Sequence, residues 1–92
     1  MTPITWSNVA LDDLERVVRF LLSADAELAG RIRAELLNAP ERLQDFPRLG
    51  PLVEGHEEDG VRRLVFGRYE IRYEVTEERV IILRVFHQRE DR

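Results

Sequence analysis

Residues 61–87 read VRRLVFGRYEIRYEVTEERVIILRVFH, the densest run of β-branched and aromatic side chains in the chain. Such a composition suits a pleated, half-buried surface, and turn signals divide it into three consecutive antiparallel strands. Gly67-Arg68 is a glycine-first pair of the kind that closes a two-residue hairpin. Phe66 is therefore expected to face Tyr69, Leu64 to face Ile71, Arg62 to face Tyr73 and Arg63 to face Arg72. Tyr69, Ile71, Tyr73 and Val75 then share a core face, with Glu70, Arg72 and Glu74 on the other.

The second turn admits two registers. Pairing Val75 with Val80 carries Arg84 beside Ile71 on the apolar face. A three-residue loop, Thr76 to Glu78, instead pairs Tyr73 with Ile81, Ile71 with Leu83 and Tyr69 with Val85, and sets Arg84 opposite Glu70. The second register is expected because it keeps the guanidinium out of the core. The last strand, Val80 to Phe86, is apolar on both faces except at Arg84, which is the pattern of a central strand covered twice. A further strand is expected on its open side.

Pro3 to Trp6, a short apolar stretch ended by Ser7, is the candidate for that neighbour. Ser7 or Asn8 can cap a following helix, with Asp12 and Asp13 in its first turns where the helix dipole favours negative charge. Leu11, Leu14, Val18, Leu21 and Leu22 recur at helical spacing and predict one amphipathic helix over about residues 8–23. Asp25 can cap a second helix whose stripe is Leu28, Ile32, Leu36 and Leu37, so the two form an αα-hairpin. Pro40 lacks a donor and crowds the preceding turn, so the second helix is expected to kink there or to end near Asn38. FPRLGPL, residues 46–52, reads as rigid loop punctuation, and EGHEEDG, residues 54–60, as a flexible acidic loop. The order βααβββ is α+β: a helical hairpin on one face of a small, mostly antiparallel sheet, in a single domain spanning residues 1–92.

Ninety-two residues lie near the lower end of what buries a sufficient core alone, which favours a partner. With no cysteine, neither a disulfide framework nor a thiolate metal site is available. No apolar run approaches ~18 residues and the N-terminus lacks the regions of a signal peptide, so a cytoplasmic protein without membrane association is expected. The net charge is −4, and all fourteen basic residues are arginine. That acidic balance argues against holding phosphate backbones by bulk charge, and no direct specific nucleic-acid binding is expected. The arginine usage reflects either codon bias or an interface rich in carboxylates, which planar guanidinium groups recognise bidentately.

Nucleophilic catalysis has no support in the residues. Ser7 and Ser23 are the two serines, and neither sits in a nucleophile elbow. His56 among Glu54, Glu57, Glu58 and Asp59 lies on a glycine-bounded loop that imposes no coordination geometry, so neither a metal nor a cofactor is expected. What remains is the set of arginines on the sheet. Arg63 and Arg72 are opposed like charges, destabilising unless something anionic lies between them, and Glu70, Glu74 and Arg84 share their face. They form either a solvated charge lattice or a partner-binding patch. His87, at the end of the last strand, is the one candidate general base in the sheet other than carboxylates.

Four pieces in this order and spacing, TWSNVALDDLERVVRFL (5–21), FPRLG (46–50), RRLVFGRYEIRYEV (62–75) and IILRVFHQRED (81–91), resemble the RelE/ParE superfamily of toxin–antitoxin toxins, specifically its ParE branch. The resemblance covers nearly the whole chain. It implies a bacterial toxin neutralised by a ParD-like antitoxin, whose N-terminal ribbon-helix-helix domain binds operator DNA while its C-terminal segment wraps the toxin. ParE members act on DNA gyrase, whereas RelE members cut mRNA on the ribosome. RelE nucleases carry an arginine directly after the tyrosine that matches Tyr69, where this chain has Glu70. They carry lysines on the preceding strand, near Val61 and Arg63 here, and a C-terminal tyrosine, whereas this sequence reads to Arg92.

Gyrase inhibition is therefore the expected activity. The alternatives are a RelE-like ribosome-dependent mRNA endonuclease, with His87, Arg63 and Arg89 as its candidate catalytic residues, and an inactive toxin fold that serves as corepressor. Exposed members of the set Leu14, Val18, Leu21, Ile32 and Leu36 are expected to form the floor of an antitoxin groove. Arg63, Arg72 and Arg84 are expected to pair with antitoxin carboxylates, and Gln88, Arg89 and Arg92 to contact the target.

Overall fold

The computed structural model describes residues 1–89. Strand β1 (Ile4–Trp6) leads into helices α1 (Asn8–Leu22) and α2 (Ala26–Asn38), and strands β2 (Val61–Phe66), β3 (Tyr69–Val75) and β4 (Val80–His87) follow. The sheet runs β1-β4-β3-β2, with β1 parallel to β4 and the other pairs antiparallel. The expected βααβββ order, the helical hairpin on one face and the N-terminal neighbour of β4 are all present. Among the described residues no helix is long and apolar enough to cross a membrane.

Local chemistry accounts for the helix boundaries. The Ser7 hydroxyl accepts the Ala10 N–H at 3.0 Å and the Asp25 carboxylate accepts that of Leu28 at 3.1 Å, each satisfying a donor of the first turn that has no partner within its helix. At Pro40 the chain breaks rather than kinks: α2 ends at Asn38 and a 3₁₀ helix, Ala39–Gln44, carries the proline near its start, where a missing N–H costs nothing. Ala10, Leu14, Val17 and Val18 of α1, with Ala29 and Leu36 of α2, pack on Ile71, Tyr73, Val80, Ile82 and Val85. Tyr73 lies at the centre, fully buried, and its hydroxyl accepts the Gly50 N–H at 2.8 Å. A side chain at Gly50 would collide with the Arg63 carbonyl, so this position requires glycine for closeness rather than for φ. The loop thus held lines the outer edge of β2, where Arg63 N–H donates to Pro51 and Val53 N–H donates to Val61.

The β2–β3 hairpin has the expected register, closed at Gly67 with φ of +57°. The β3–β4 register does not. Val75 pairs with Val80, Glu74 with Ile81 and Tyr73 with Ile82 across a four-residue turn, Thr76 to Arg79. The Thr76 hydroxyl accepts the N–H groups of Glu78 and Arg79, which holds that longer loop closed. The pairing then slips by one residue, so that Arg72 meets Arg84, Ile71 meets Val85, Glu70 meets Phe86 and Tyr69 meets His87. The expectation had set the Val75–Val80 register aside because it would bury Arg84. A β-bulge at Leu83 removes that conflict, since one extra residue in β4 exchanges its two faces beyond the bulge.

Beyond Trp6, β1 no longer pairs with β4, and α1 supplies the missing hydrogen bonds. Ser7 donates its N–H to Ile82 at 3.0 Å and its hydroxyl to Leu83 at 3.2 Å. The Asp13 carboxylate accepts the Val85 N–H at 2.9 Å, and Arg16 donates to the Val85 carbonyl at 3.3 Å. A helix has thereby closed an edge of strand that would otherwise present unpaired backbone groups.

Candidate functional site

The sheet face turned away from the helices carries three cross-strand rows: Val61, Glu74 and Ile81; Arg63, Arg72 and Arg84; and Val65, Glu70 and Phe86. The middle row sets three guanidinium groups side by side, an arrangement that is destabilising unless anions intervene. Two carboxylates do. Glu70, only 4% exposed, accepts the Arg72 Nε–H at 2.8 Å and lies 3.9 Å from Arg63. Asp13, 5% exposed, reaches over from α1 and accepts Arg84 Nε–H at 2.8 Å and Nη2–H at 3.2 Å, with Arg16 Nη2 also at 3.2 Å. Arg72 and Arg84 both lie against the Phe86 ring, at 5.3 and 4.8 Å from its centroid, within the range of cation–π attraction.

The electrostatics follow from these contacts. Burial by itself raises the Asp13 carboxyl, but hydrogen bonds from Arg84, Val85 N–H and Arg16 outweigh it and hold the group below its ordinary value of 3.8. Arg16, Arg63, Arg72 and Arg84 thus alternate with carboxylates, Asp13 and Glu70 in direct contact with them and Glu74 on the same face. Leu52, Val53 and Glu54 of the loop beside β2 join Arg63, Glu70 and Arg72 to line an open cleft of about 450 Å³. Among the described residues no group of three or more His, Asp or Glu is placed to hold a metal ion.

The far end of the sheet holds His87, whose ring meets Tyr69 edge-on at 5.3 Å between centroids and whose Nδ1 accepts the Arg89 N–H at 3.1 Å. Burial pushes the Tyr69 phenol up, with Arg68 nearby opposing. Gln88 donates its N–H to the Arg68 carbonyl at 2.8 Å, tying the strand end to the β2–β3 turn.

The residues expected in a site distribute unevenly. Arg63, Arg72 and Arg84 do come together, Arg84 through the bulge rather than through the expected pairing with Glu70. Leu14, Val18 and Leu36 are buried in the core and Leu21 and Ile32 are half-buried against it, so the first three offer no groove floor. Their stripe faces the sheet because these are the helix positions the hairpin needs to form a core at all. Exposed apolar side chains among the described residues include others: Val9, Leu11, Phe20 and Leu22 on α1, Phe46, Leu49 and Leu52 in the segment between α2 and β2, and Val65 on β2. His87, Gln88 and Arg89 follow one another at the end of β4, with Gln88 bonded to the Arg68 carbonyl; Arg92 lies outside the described residues.

Asp13 was missed as a site residue. Its signal was legible, since it sits three residues after Ala10 and four before Val17, on the core-facing side of α1, where an uncompensated carboxylate is not tolerated.

Comparison with known proteins adds the following. A family model described as the ParE toxin of the type II toxin–antitoxin system parDE matches residues 4–92. No curated protein matches the sequence. A solved chain of the chromosomal ParDE toxin–antitoxin system from P. aeruginosa is similar over 95% of this chain and 96% of its own, with a TM-score of 0.81 and 21% identity. A chain of the RelBE2 toxin–antitoxin complex from Mycobacterium tuberculosis is similar over 94% and 96%, with a TM-score of 0.71 and 23% identity. At these identities the two structures establish a shared fold.

Proposed function

This chain belongs to the ParE toxin family of type II toxin–antitoxin systems, and from that premise we propose that it arrests growth by inhibiting DNA gyrase and is neutralised by a cognate ribbon-helix-helix antitoxin. The observation that carries the gyrase reading is Glu70. RelE nucleases have an arginine after the tyrosine matching Tyr69; here a buried carboxylate takes that place and is committed to Arg72 and Arg63. A carboxylate there repels a scissile phosphate rather than stabilising it. Inhibition of gyrase asks for protein contact instead, which the sheet end at His87 to Arg89 offers.

The antitoxin reading is supported by both solved neighbours, each from a toxin–antitoxin system. Antitoxin carboxylates facing the row of Arg63, Arg72 and Arg84 are the bidentate partners that guanidinium groups recognise.

Two assays on the purified chain test the activity side by side. Gyrase supercoiling is expected to be inhibited, and ribosome-dependent mRNA cleavage to be absent. Cleavage abolished by His87→Ala, with supercoiling untouched, would reverse the assignment to the nuclease reading. Inactivity in both, with no growth arrest on expression alone, would mark the corepressor.

A further inference from the structure

Helix α1 carries on its outward side a pattern that the core does not account for. Val9 and Phe20 stay 51% and 77% exposed, although the helix buries Ala10, Leu14, Val17 and Val18 against the sheet. At about 100° per residue the two lie on one line, ~three turns apart, and Asp12 and Arg19 lie on the adjoining line, ~two turns apart. Asp12 and Arg19 are exposed and make no ion pair among the described residues. The other charges bordering this strip are already held. Asp13 and the Val85 carbonyl hold Arg16, Asp13 also holds Arg84, and Glu15 on the far flank lies 3.9 Å from Arg33 of α2.

An acidic first half and a basic second half suit the helix dipole, but the dipole does not call for apolar side chains at both ends. Turned end for end about an axis at Glu15, the strip becomes its own complement. Val9 with Phe20, and Asp12 with Arg19, are both centred there to within about half a residue. A surface of that kind meets the requirement for an isologous two-fold contact. We propose that this face of α1 pairs antiparallel with α1 of a second copy of the chain, Phe20 packing on Val9 of the partner subunit and Asp12 meeting Arg19 of the partner subunit. The charge order selects this occupant. A parallel copy would oppose like charges at both positions, and an unrelated helix would have to carry the same order reversed. One helix pair is smaller than a standard interface of ~800 Å² per partner, so the association is weak, with a dissociation constant of ~10 μM or above. The pairing stands independently of the gyrase and antitoxin readings.

The test is sedimentation of the full chain at graded concentration, with thermal unfolding recorded for every variant. The chain alone is expected to pass from one to two chain masses as concentration rises through ~10–100 μM. Phe20→Ser, Asp12→Arg and Arg19→Asp should each raise the dissociation constant ~10-fold or more, the first by losing apolar burial and the others by opposing like charges. Combining Asp12→Arg with Arg19→Asp in one chain should restore association to within ~3-fold, and so should mixing the two single variants, because each charge then meets its opposite. A general loss of stability would not be rescued by mixing. A single chain mass up to ~1 mM overturns the proposal, as does a dimer indifferent to Phe20→Ser and to both reversals. The same variants titrated with the purified product of the reading frame beside the toxin's own separate the other occupant. If Phe20→Ser weakens that complex ~10-fold while the chain alone stays at one mass, the face belongs to the antitoxin and self-pairing is rejected. Should a charge reversal fail to fold, Phe20→Ser and Val9→Ser decide the proposal.

Discussion

Asp13 accepts the backbone N–H of Val85 across 72 residues of sequence, at 2.9 Å, just past the bulge in β4. One carboxylate thus completes a strand edge and neutralises a guanidinium, so its removal should be felt in stability as well as in binding. Asp13→Ala leaves a buried N–H without an acceptor, a loss of about 1–3 kcal/mol, read as a lower denaturant midpoint at unchanged slope.

The same contact sets an acid dependence. Asp13 is held below its ordinary 3.8 in the folded chain, so the unfolded chain binds more protons through that window. Its stabilisation is present above the unfolded-state value and is lost as pH falls through the folded one. Denaturation curves between neutral pH and strong acid should show wild type losing stability faster below ~pH 4 than Asp13→Asn does.

Tyr73 and Gly50 form a second long-range pair. Tyr73→Phe strands the buried Gly50 N–H and should cost about 1–3 kcal/mol, while Gly50→Ala, which drives a methyl into the Arg63 carbonyl, should cost at least as much. Burial raises the Tyr73 phenol despite the opposing Gly50 N–H, Arg62 and Arg42. A raised value means that stability is full below the unfolded-state value and falls as pH climbs through the folded one, so alkaline unfolding above ~pH 10 should be shallower in Tyr73→Phe.

Ser7→Ala removes both the cap on Ala10 and a donor to Leu83. A loss near the upper part of the usual ~0.5–2 kcal/mol for caps is expected, with Ser7→Thr recovering most of it; thermal melts distinguish them.

At the sheet end, deleting Gln88 to Arg92 should relieve toxicity in growth assays while antitoxin affinity by calorimetry stays near normal. His87→Ala should cost its edge-on contact with Tyr69, about 0.5–1.5 kcal/mol, together with the acceptor of the Arg89 N–H, with gyrase inhibition retained.

The sequence by itself determined the architecture. Strand chemistry from Val61 onward, the two capped helices and the doubly apolar Val80 to Phe86 segment are local signals, since side-chain period and cap chemistry act within a few residues. It also carried the pairing of Arg63 with Arg72, because a two-residue turn leaves a hairpin no freedom of register. Tertiary structure decided the rest. A four-residue turn followed by one extra residue at Leu83 satisfies both Val75–Val80 and an outward Arg84, and no period-two pattern contains that solution. It was stabilised from α1, by Ser7, Asp13 and Arg16, whose partners on β4 lie some seventy residues away. Backbone groups left over by a short β1 created the demand for those side chains, and that demand exists only once the strands are assembled.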